Sequence, residues 1–427
     1  MTSSPFYVVS GVRTPFSRSG TALADADAVE LGRAALSQLI TRSDLDPALV
    51  DEAIFGCVAQ PADAANIARV IALRAGLPQN TPAMTVQRNC ASGLQAVTSA
   101  YEKFCAGQGS VFVAGGTESM THTPLLFRHS AALKFAAMGR ARGMGAKSKS
   151  ALAFRLSDFA PLIALKLGLT DPVAELNMGE TAEVLARTFH ISRDAQDAFA
   201  ARSHLYAAAT AEAREREIVP VYTGKKEVAA VTVDNGVRLD SSCKKLAKLS
   251  PIFDTQTGTV TAGNSSQISD GAVALLLSGE DRLASLNTAP LGRVVSYAFT
   301  GCDPAQMGLG PVKAIDQALR QAQWKLEDVD VIEINEAFAA QVLAVLKCLK
   351  DKASARLAGL DEPLGEIDDS KLNAQGGSIA LGHPVGATGA RLMLTALHQL
   401  RARKAKRALV SLCIGGGQGG AMCLEAV

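Results

Sequence analysis

The sequence predicts an α/β protein made of two copies of one unit, with an insertion in the first copy. Three observations carry this. Short apolar runs alternate with helical patterns, as strands and their covering helices do. Stretches of the second half repeat stretches of the first. Between the first-half elements lies a basic, partly apolar segment of different character.

Taken in order, residues 6–10 read as a buried strand ended by Gly11 and a turn at Thr14-Pro15. Residues 28–40 place apolar side chains at helical spacing. Residues 46–60 give a turn, a strand and a loop, and 64–75 a helix closed by Gly76. Residues 84–86 lead into Cys90, and a helix follows to about Cys105. Residues 109–120 read as a buried strand ending in a tight glycine turn, with Gly115-Gly116. From 121 to 170 the charges are Arg128, Lys134, Arg140, Arg142, Lys147, Lys149, Arg155 and Lys166 against the single acid Asp158, interleaved with Leu, Phe, Met and Ile. This predicts a basic amphipathic insertion. Helices follow at 180–188 and 192–213, the second capped by Ser192. In the second half, 326–341 reads like 45–60: acidic turn, strand, loop, Ala-Gln. Gly382-His383-Pro384 precedes a helix as the Cys90 turn does, and the strand at 408–412 with its glycine loop echoes 111–116. Carboxyl ends of strands collect active sites in such sheets, and Cys90, Asn335, His383 and Cys413 fall there.

Composition bounds the function. At 427 residues the chain exceeds one simple core, and 48% hydrophobic with 20% charged residues is an ordinary globular balance. A net charge of +2 argues against a dedicated nucleic-acid binder. The 8 cysteines, Cys57, Cys90, Cys105, Cys243, Cys302, Cys348, Cys413 and Cys423, include no CxxC pair, so no zinc or other metal site is expected. The polar start at residues 1–5 does not resemble a signal peptide, and no apolar run is long enough to span a bilayer. A cytoplasmic protein with reduced thiols is expected.

Cys90 lies in Gln87-Arg88-Asn89-Cys90-Ala91-Ser92-Gly93, at the start of a helix. A thiol there sits among unpaired N–H groups at the positive helix end, which favours thiolate. A packing cysteine is the competing reading. Cys105 and Cys423 read as packing residues, and His122, His129, His190, His204 and His398 as surface or hydrogen-bonded histidines.

The Cys90 turn, the Asn335-Glu336-Ala337-Phe338 loop, the Gly382-His383-Pro384 turn and the Cys413-Ile414-Gly415 loop resemble the four catalytic loops of the thiolase family. Ala262-Gly263-Asn264-Ser265-Ser266 resembles that family's segment along the pantetheine of coenzyme A. The resemblance covers nearly the whole chain. It implies a duplicated five-layer αβαβα fold: a first half from 1–120 and 246–285, an inserted loop domain at 121–245 and a second half at 286–427. It implies a 3-ketoacyl-CoA thiolase of β-oxidation, an acyltransferase with CoA as substrate and no permanently bound cofactor. Cys90 would be the nucleophile, His383 the base that takes its proton, and Cys413 the acid that protonates the leaving enolate. One oxyanion would be held by His383 and a water on Asn335, the other by the N–H groups of Cys90 and Gly415. Ala262 and Ser266 would contact CoA.

The resemblance also implies a homodimer or tetramer. Asn177 stands where short-chain members carry His, which favours a broader or longer-chain range. The insertion and residues 365–373 resemble β-subunits of fatty-acid-oxidation complexes, whose partner is a hydratase/dehydrogenase α-subunit; those carry His where this chain has Asn335. Contact of 121–170 with such a partner or with a membrane surface is expected. The alternatives are a biosynthetic acetoacetyl-CoA thiolase, with the same residues run towards condensation, and a non-catalytic lipid carrier of the same fold.

Overall fold

Strands that are apolar on both faces need cover on both faces, and the layers of this protein follow from that need. The computed structural model describes residues 4–224 and 228–427; the first three residues of the polar start lie outside the described residues. The first-half strands are β1 (Phe6–Arg13), β2 (Glu52–Gly56), β3 (Ala83–Val86), β4 (Val111–Ser119) and β5 (Ser269–Gly279). The second-half strands are β6 (Gly292–Gly301), β7 (Val331–Ile334), β8 (Arg407–Ile414) and β9 (Gln418–Glu425). They lie on one hydrogen-bonded path, β7-β8-β9-β6-β1-β5-β4-β2-β3.

The two halves have one topology. In the first, β2 pairs parallel with β3 and β4, and β4, β5 and β1 continue antiparallel. In the second, β7 pairs parallel with β8 and, at Ile332, with Leu372, and β8, β9 and β6 continue antiparallel. The halves join where Phe6–Val8 pairs with Gly292–Val294.

Three apolar cores fill the spaces between five layers, the central one lying on both sides of the middle helix layer. Helices α1 (Ala28–Arg42) and α2 (Ile67–Arg74) cover the outer face of the first half through Leu31, Leu36, Ile67 and Ile71 against Val113, Ala274 and Leu276. Helices α3 (Ser92–Cys105) and, late in the chain, α10 (Val385–Arg403) lie between the halves, against Phe112, Val273, Val410 and Met422. Helices α8 (Gly310–Ala322) and α9 (Ala339–Lys350) cover the second half through Val312, Ile315, Val342 and Val345. Alternate residues of one strand enter different cores: Ala408 and Val410 face the centre, Leu409 the outside.

Three sequence expectations are corrected here. The strands β1 and β4 do not stop at their glycines. A Cβ on Gly116 would lie 1.9 Å from the Gly386 carbonyl oxygen, so the glycine lets α10 approach a continuing strand. The repeat also has a different register. Asp51 N–H donates to Val111 O and Asp330 N–H donates to Arg407 O, both at 2.9 Å, which matches Asp51 with Asp330 rather than Ile332. Cys105 is exposed at the end of α3, while Cys423 is buried as expected.

Residues 120–268 run between β4 and β5, where the second half has only the turn at Gly415–Gly417 between β8 and β9. Within this excursion, α4 (His129–Arg140) and α5 (Met144–Leu152) do not cover the main core; only Ala131 of the two helices is buried. The later helices α6 (Met178–Thr188) and α7 (Arg193–Ala209) do pack on the second half, through Leu185, Phe199 and Ala200. Asn177 caps α6, accepting from the N–H groups of Gly179 and Glu180. Among the described residues, no helix is long and apolar enough to cross a membrane.

Candidate active site

Two loops meet at Cys90. Between β3 and α3 the chain turns through Asn89 in the left-handed region, at φ 41°. The Ser92 hydroxyl donates to Asn89 O at 2.7 Å and accepts from Arg88 N–H at 2.9 Å, which holds the turn. From it, Asn89 Nδ2 donates to Gly415 O at 2.7 Å and ties the turn to the loop after β8. The Gly415 N–H is directed at the Cys90 thiol.

Burial pushes the Cys90 thiol up, against the pull of the N–H groups of Gly415 and Cys90 itself, with the Glu118 charge adding to the rise. This corrects the expectation of a thiolate favoured by the helix end: desolvation outweighs the N–H groups here. Cys413, at the end of β8, is 1% exposed. Its thiol is pushed well above the usual range by burial, then by the neighbouring Cys90 and Cys302. It packs with Met307, Ala337 and Phe338, and half-buried Met178 and Phe253 adjoin them.

His383 and Asn335 form the second pair, with Asn335 Nδ2 3.4 Å from His383 Nε2. The protons on this pair can be assigned by counting donors. The Thr388 hydroxyl donates its one proton to Pro384 O at 2.9 Å, so at 2.7 Å it accepts from His383 Nδ1–H. The Nε2 lone pair is then free and accepts from Asn335. Burial, with Arg391 nearby, holds His383 down at about 3, so the ring is neutral at pH 7. Behind Asn335, Ser378 Oγ donates to Oδ1 at 2.6 Å, and Arg391 lies against Ser378 and in a buried ion pair with Glu333 at 3.0 Å.

The pairs connect through the start of α10. Buried Glu118 accepts from the N–H groups of Val58, Ala59 and Gly386 at 3.1, 2.9 and 2.9 Å. Burial raises this carboxyl to about 7 while those three donors lower it. Val58, Ala59 and Val385 line a cavity of about 570 Å³ that also takes in Cys90, Gly415, Gly416, Met178 and the stretch from Ala164 to Val173. Of the expected residues, Cys90 and Gly415 reach this wall, whereas His383, Asn335 and Cys413 do not. Ala262 and Ser266 lie apart from it. Their turn is laced to the Asn335 loop by Ser266 N–H on Ala337 O and Ala339 N–H on Asn264 O, both 2.9 Å.

Sequence reasoning missed Asn89, Glu118, Ser378 and Thr388. Asn89 is adjacent to Cys90, and Thr388 lies in the same glycine-rich run as His383, so both had a local signal. Glu118 and Ser378 had none, because their partners are distant in sequence. No cluster of metal ligands occurs among the described residues.

Neutral His383 makes stability depend on pH. Below about 6.5 the unfolded histidine binds a proton that the folded one refuses until about 3, so stability falls as pH drops through that window. Urea unfolding at pH 7.5 and pH 5 should show the unmodified chain losing about 2 kcal/mol more than a His383→Gln variant. Equal losses would contradict a neutral buried ring.

These loops and layers have counterparts in known proteins. The description "Thiolase, N-terminal domain" matches residues 6–281, and "Thiolase, C-terminal domain" matches 288–426. The chain is 42% identical over 422 residues to a 3-ketoacyl-CoA thiolase of Citrobacter koseri, covering 98% of this chain and 96% of that protein. Among solved structures, acetyl-CoA acetyltransferase of Bacillus anthracis superposes with TM-score 0.87 at 36% identity, over 99% of both chains. Human mitochondrial 3-ketoacyl-CoA thiolase in complex with CoA gives TM-score 0.85 at 36% identity, over 99% of this chain and 98% of that one. With both halves matched and the same fold throughout, this chain belongs to the thiolase family.

Proposed function

We propose that the chain is a 3-ketoacyl-CoA thiolase that cleaves 3-ketoacyl-CoA with CoA, giving acetyl-CoA and an acyl-CoA shortened by two carbons. The observation that carries this reading is the neighbourhood of two thiols, half-buried Cys90 and buried Cys413, with Cys90 opening onto an apolar cavity. The names of its relatives support the same activity.

In this reading the Cys90 sulfur attacks the keto carbon while its proton passes to His383 Nε2. A thiol raised by burial does not ionise alone at neutral pH, and a neutral base supplies the missing step. The bond between the second and third carbons then breaks. One product is a thioester on Cys90; the other is the enolate of acetyl-CoA, whose carbon takes the Cys413 proton. The Cys413 thiolate next removes the proton of incoming CoA, and the CoA sulfur displaces the acyl group from Cys90. The proton held on His383 returns to Cys90. A thiol suits the Cys413 role because it exchanges a proton with another thiol at little cost in driving force. The N–H groups of Cys90 and Gly415 would hold the tetrahedral oxygen, and His383 with a water on Asn335 the enolate oxygen, each donor contributing about 3 kcal/mol. The turn with Ala262 and Ser266 would lie along the pantetheine.

The cavity supports a longer-chain substrate. An acetoacetyl group ends one methyl beyond its keto carbon and would leave most of about 570 Å³ empty. Eight free cysteines agree with a reducing, cytoplasmic location. The outer edge of β3 has no strand partner among the described residues, which supports pairing between copies in a dimer or tetramer.

The lobe at 121–163 supports a docking role. Phe127, Phe135, Phe154 and Phe159 pack on one another, with neighbouring rings 4.8–5.5 Å apart, while Met144, Leu152 and Leu156 are 87%, 86% and 94% exposed. Basic side chains surround them, which suits an anionic membrane surface or a hydratase/dehydrogenase subunit.

Purified protein should cleave 3-ketohexadecanoyl-CoA faster than acetoacetyl-CoA, and Cys90→Ser should lower both rates about 1,000-fold or more. Undiminished cleavage in that variant would overturn the mechanism; faster cleavage of acetoacetyl-CoA would favour the biosynthetic reading. Nothing lies within 4 Å of a Cβ built on Gly168, a cavity-wall residue. Gly168→Phe should therefore slow cleavage of the long substrate about tenfold and that of acetoacetyl-CoA less than about twofold. Replacing exposed Arg140, Arg142, Lys147 and Lys149 with Gln should abolish flotation with anionic vesicles or co-purification with the partner, leaving the oligomeric mass in sedimentation unchanged. If both binding measurements are unaffected, the lobe does not dock by charge.

A further inference from the structure

A buried asparagine can present either end of its amide, and the two ends do opposite chemistry: NH2 donates and the carbonyl oxygen accepts. At Asn335 only the first orientation gives the lone pair on His383 Nε2 a donor rather than a second acceptor. Resting on the thiolase reading above, we propose that Ser378 is a positioning residue that fixes the Asn335 amide with its NH2 group towards His383.

The polarity follows from both ends of the amide: the His383 Nε2 lone pair needs a donor, and Ser378 has a proton to give to Oδ1. Arg391 has only donors, so where its Nη2 meets Ser378 Oγ, at 3.5 Å, the serine oxygen accepts. The single hydroxyl proton of Ser378 is left for Asn335 Oδ1, 2.6 Å away. With Oδ1 occupied, Nδ2 faces the His383 Nε2 lone pair. Glu333 holds Arg391 in place at 3.0 Å, and Gln399 donates to Glu333 at 2.7 Å. Ser378, Asn335, Glu333 and Arg391 are all essentially closed to solvent, so water cannot substitute for the serine without entering a packed interior. The line from Glu333 through Arg391 and Ser378 thus passes a fixed polarity to the amide. Ser378 reaches this place because residues 378–381 form one short helical turn before the Gly382-His383-Pro384 turn, on the inner side of the Asn335 loop.

Removing the hydroxyl leaves Oδ1 without its donor and frees the amide to turn over, which would aim an acceptor at the place where a donor is needed. Ser378→Ala should lower kcat for thiolysis ten- to a hundredfold, with the KM for CoA within about twofold of the unmodified enzyme. The deciding measurement repeats the substitution in an Asn335→Ala background. If Ser378 acts through the amide, Ser378→Ala causes no further loss there. A loss of the same factor in that background, or an unchanged kcat in the single variant, overturns the proposal. Ser378→Cys, which keeps the size but is a weak donor, should show the same loss and the same cancellation, and serves if the alanine variant does not fold. Absence of thiolysis in the unmodified enzyme would instead overturn the functional reading, so the two failures are distinct.

Discussion

The structure depends on how closely two central helices pack. Helices α3 and α10 lie back to back between the two sheet halves, and a Cβ on Gly93 would lie 2.9 Å from both Gly386 O and Ala390 N. On the other side, a Cβ on Gly389 would lie 2.5 Å from Leu94 N. Only bare backbone allows this approach. Its consequence is chemical. Each helix is preceded by a loop, one carrying Cys90 and the other His383, so packing the helix starts together brings the loops together. The duplicated topology does the same for the neighbouring strand ends, where Asn335 follows β7 and Cys413 closes β8. The Cys90 and His383 loops are thus both anchored on backbone packed at contact distance.

Burial is the second organising force, and it acts to the same end on Cys90, Cys413, Glu118 and His383. It raises the thiols of Cys90 and Cys413, raises the Glu118 carboxyl and depresses His383. Each shift favours the uncharged form. Both thiols and His383 therefore rest uncharged, and fixed hydrogen bonds orient the groups around them. Thr388 selects the His383 tautomer, and Asn89 ties the Gly415 carbonyl to the Cys90 turn.

The two excursions from the duplicated frame have different physical characters. The later part, with α6 and α7, is anchored in the main core and brings Met178 to the cavity. The earlier lobe keeps its aromatic cluster to itself and leaves large apolar side chains in solvent. Residues 164–173 lie between the two and supply a wall of the cavity, so the segment that bounds the cavity adjoins the one that carries the exposed surface.

Much of this was legible in the amino-acid order, because its signals are local. A cysteine before a helix, a histidine between glycine and proline, and a repeated acidic turn each need only neighbouring residues to be recognised. The duplicated α/β frame, the inserted segment and the four loops were determined at that level. Tertiary structure decided what depends on distant partners. Gly115 and Gly116 end no strand: a Cβ on Gly115 would meet Val273 O of β5, and one on Gly116 would meet Gly386 O of α10. The repeat register follows from hydrogen bonds between strands rather than from matching letters. The Cys90 thiol is raised rather than lowered, since desolvation is a property of the surroundings and not of position in a helix. Ser378 and Glu118 carry no mark in the chain, because hydrogen bonds across the fold give them their roles.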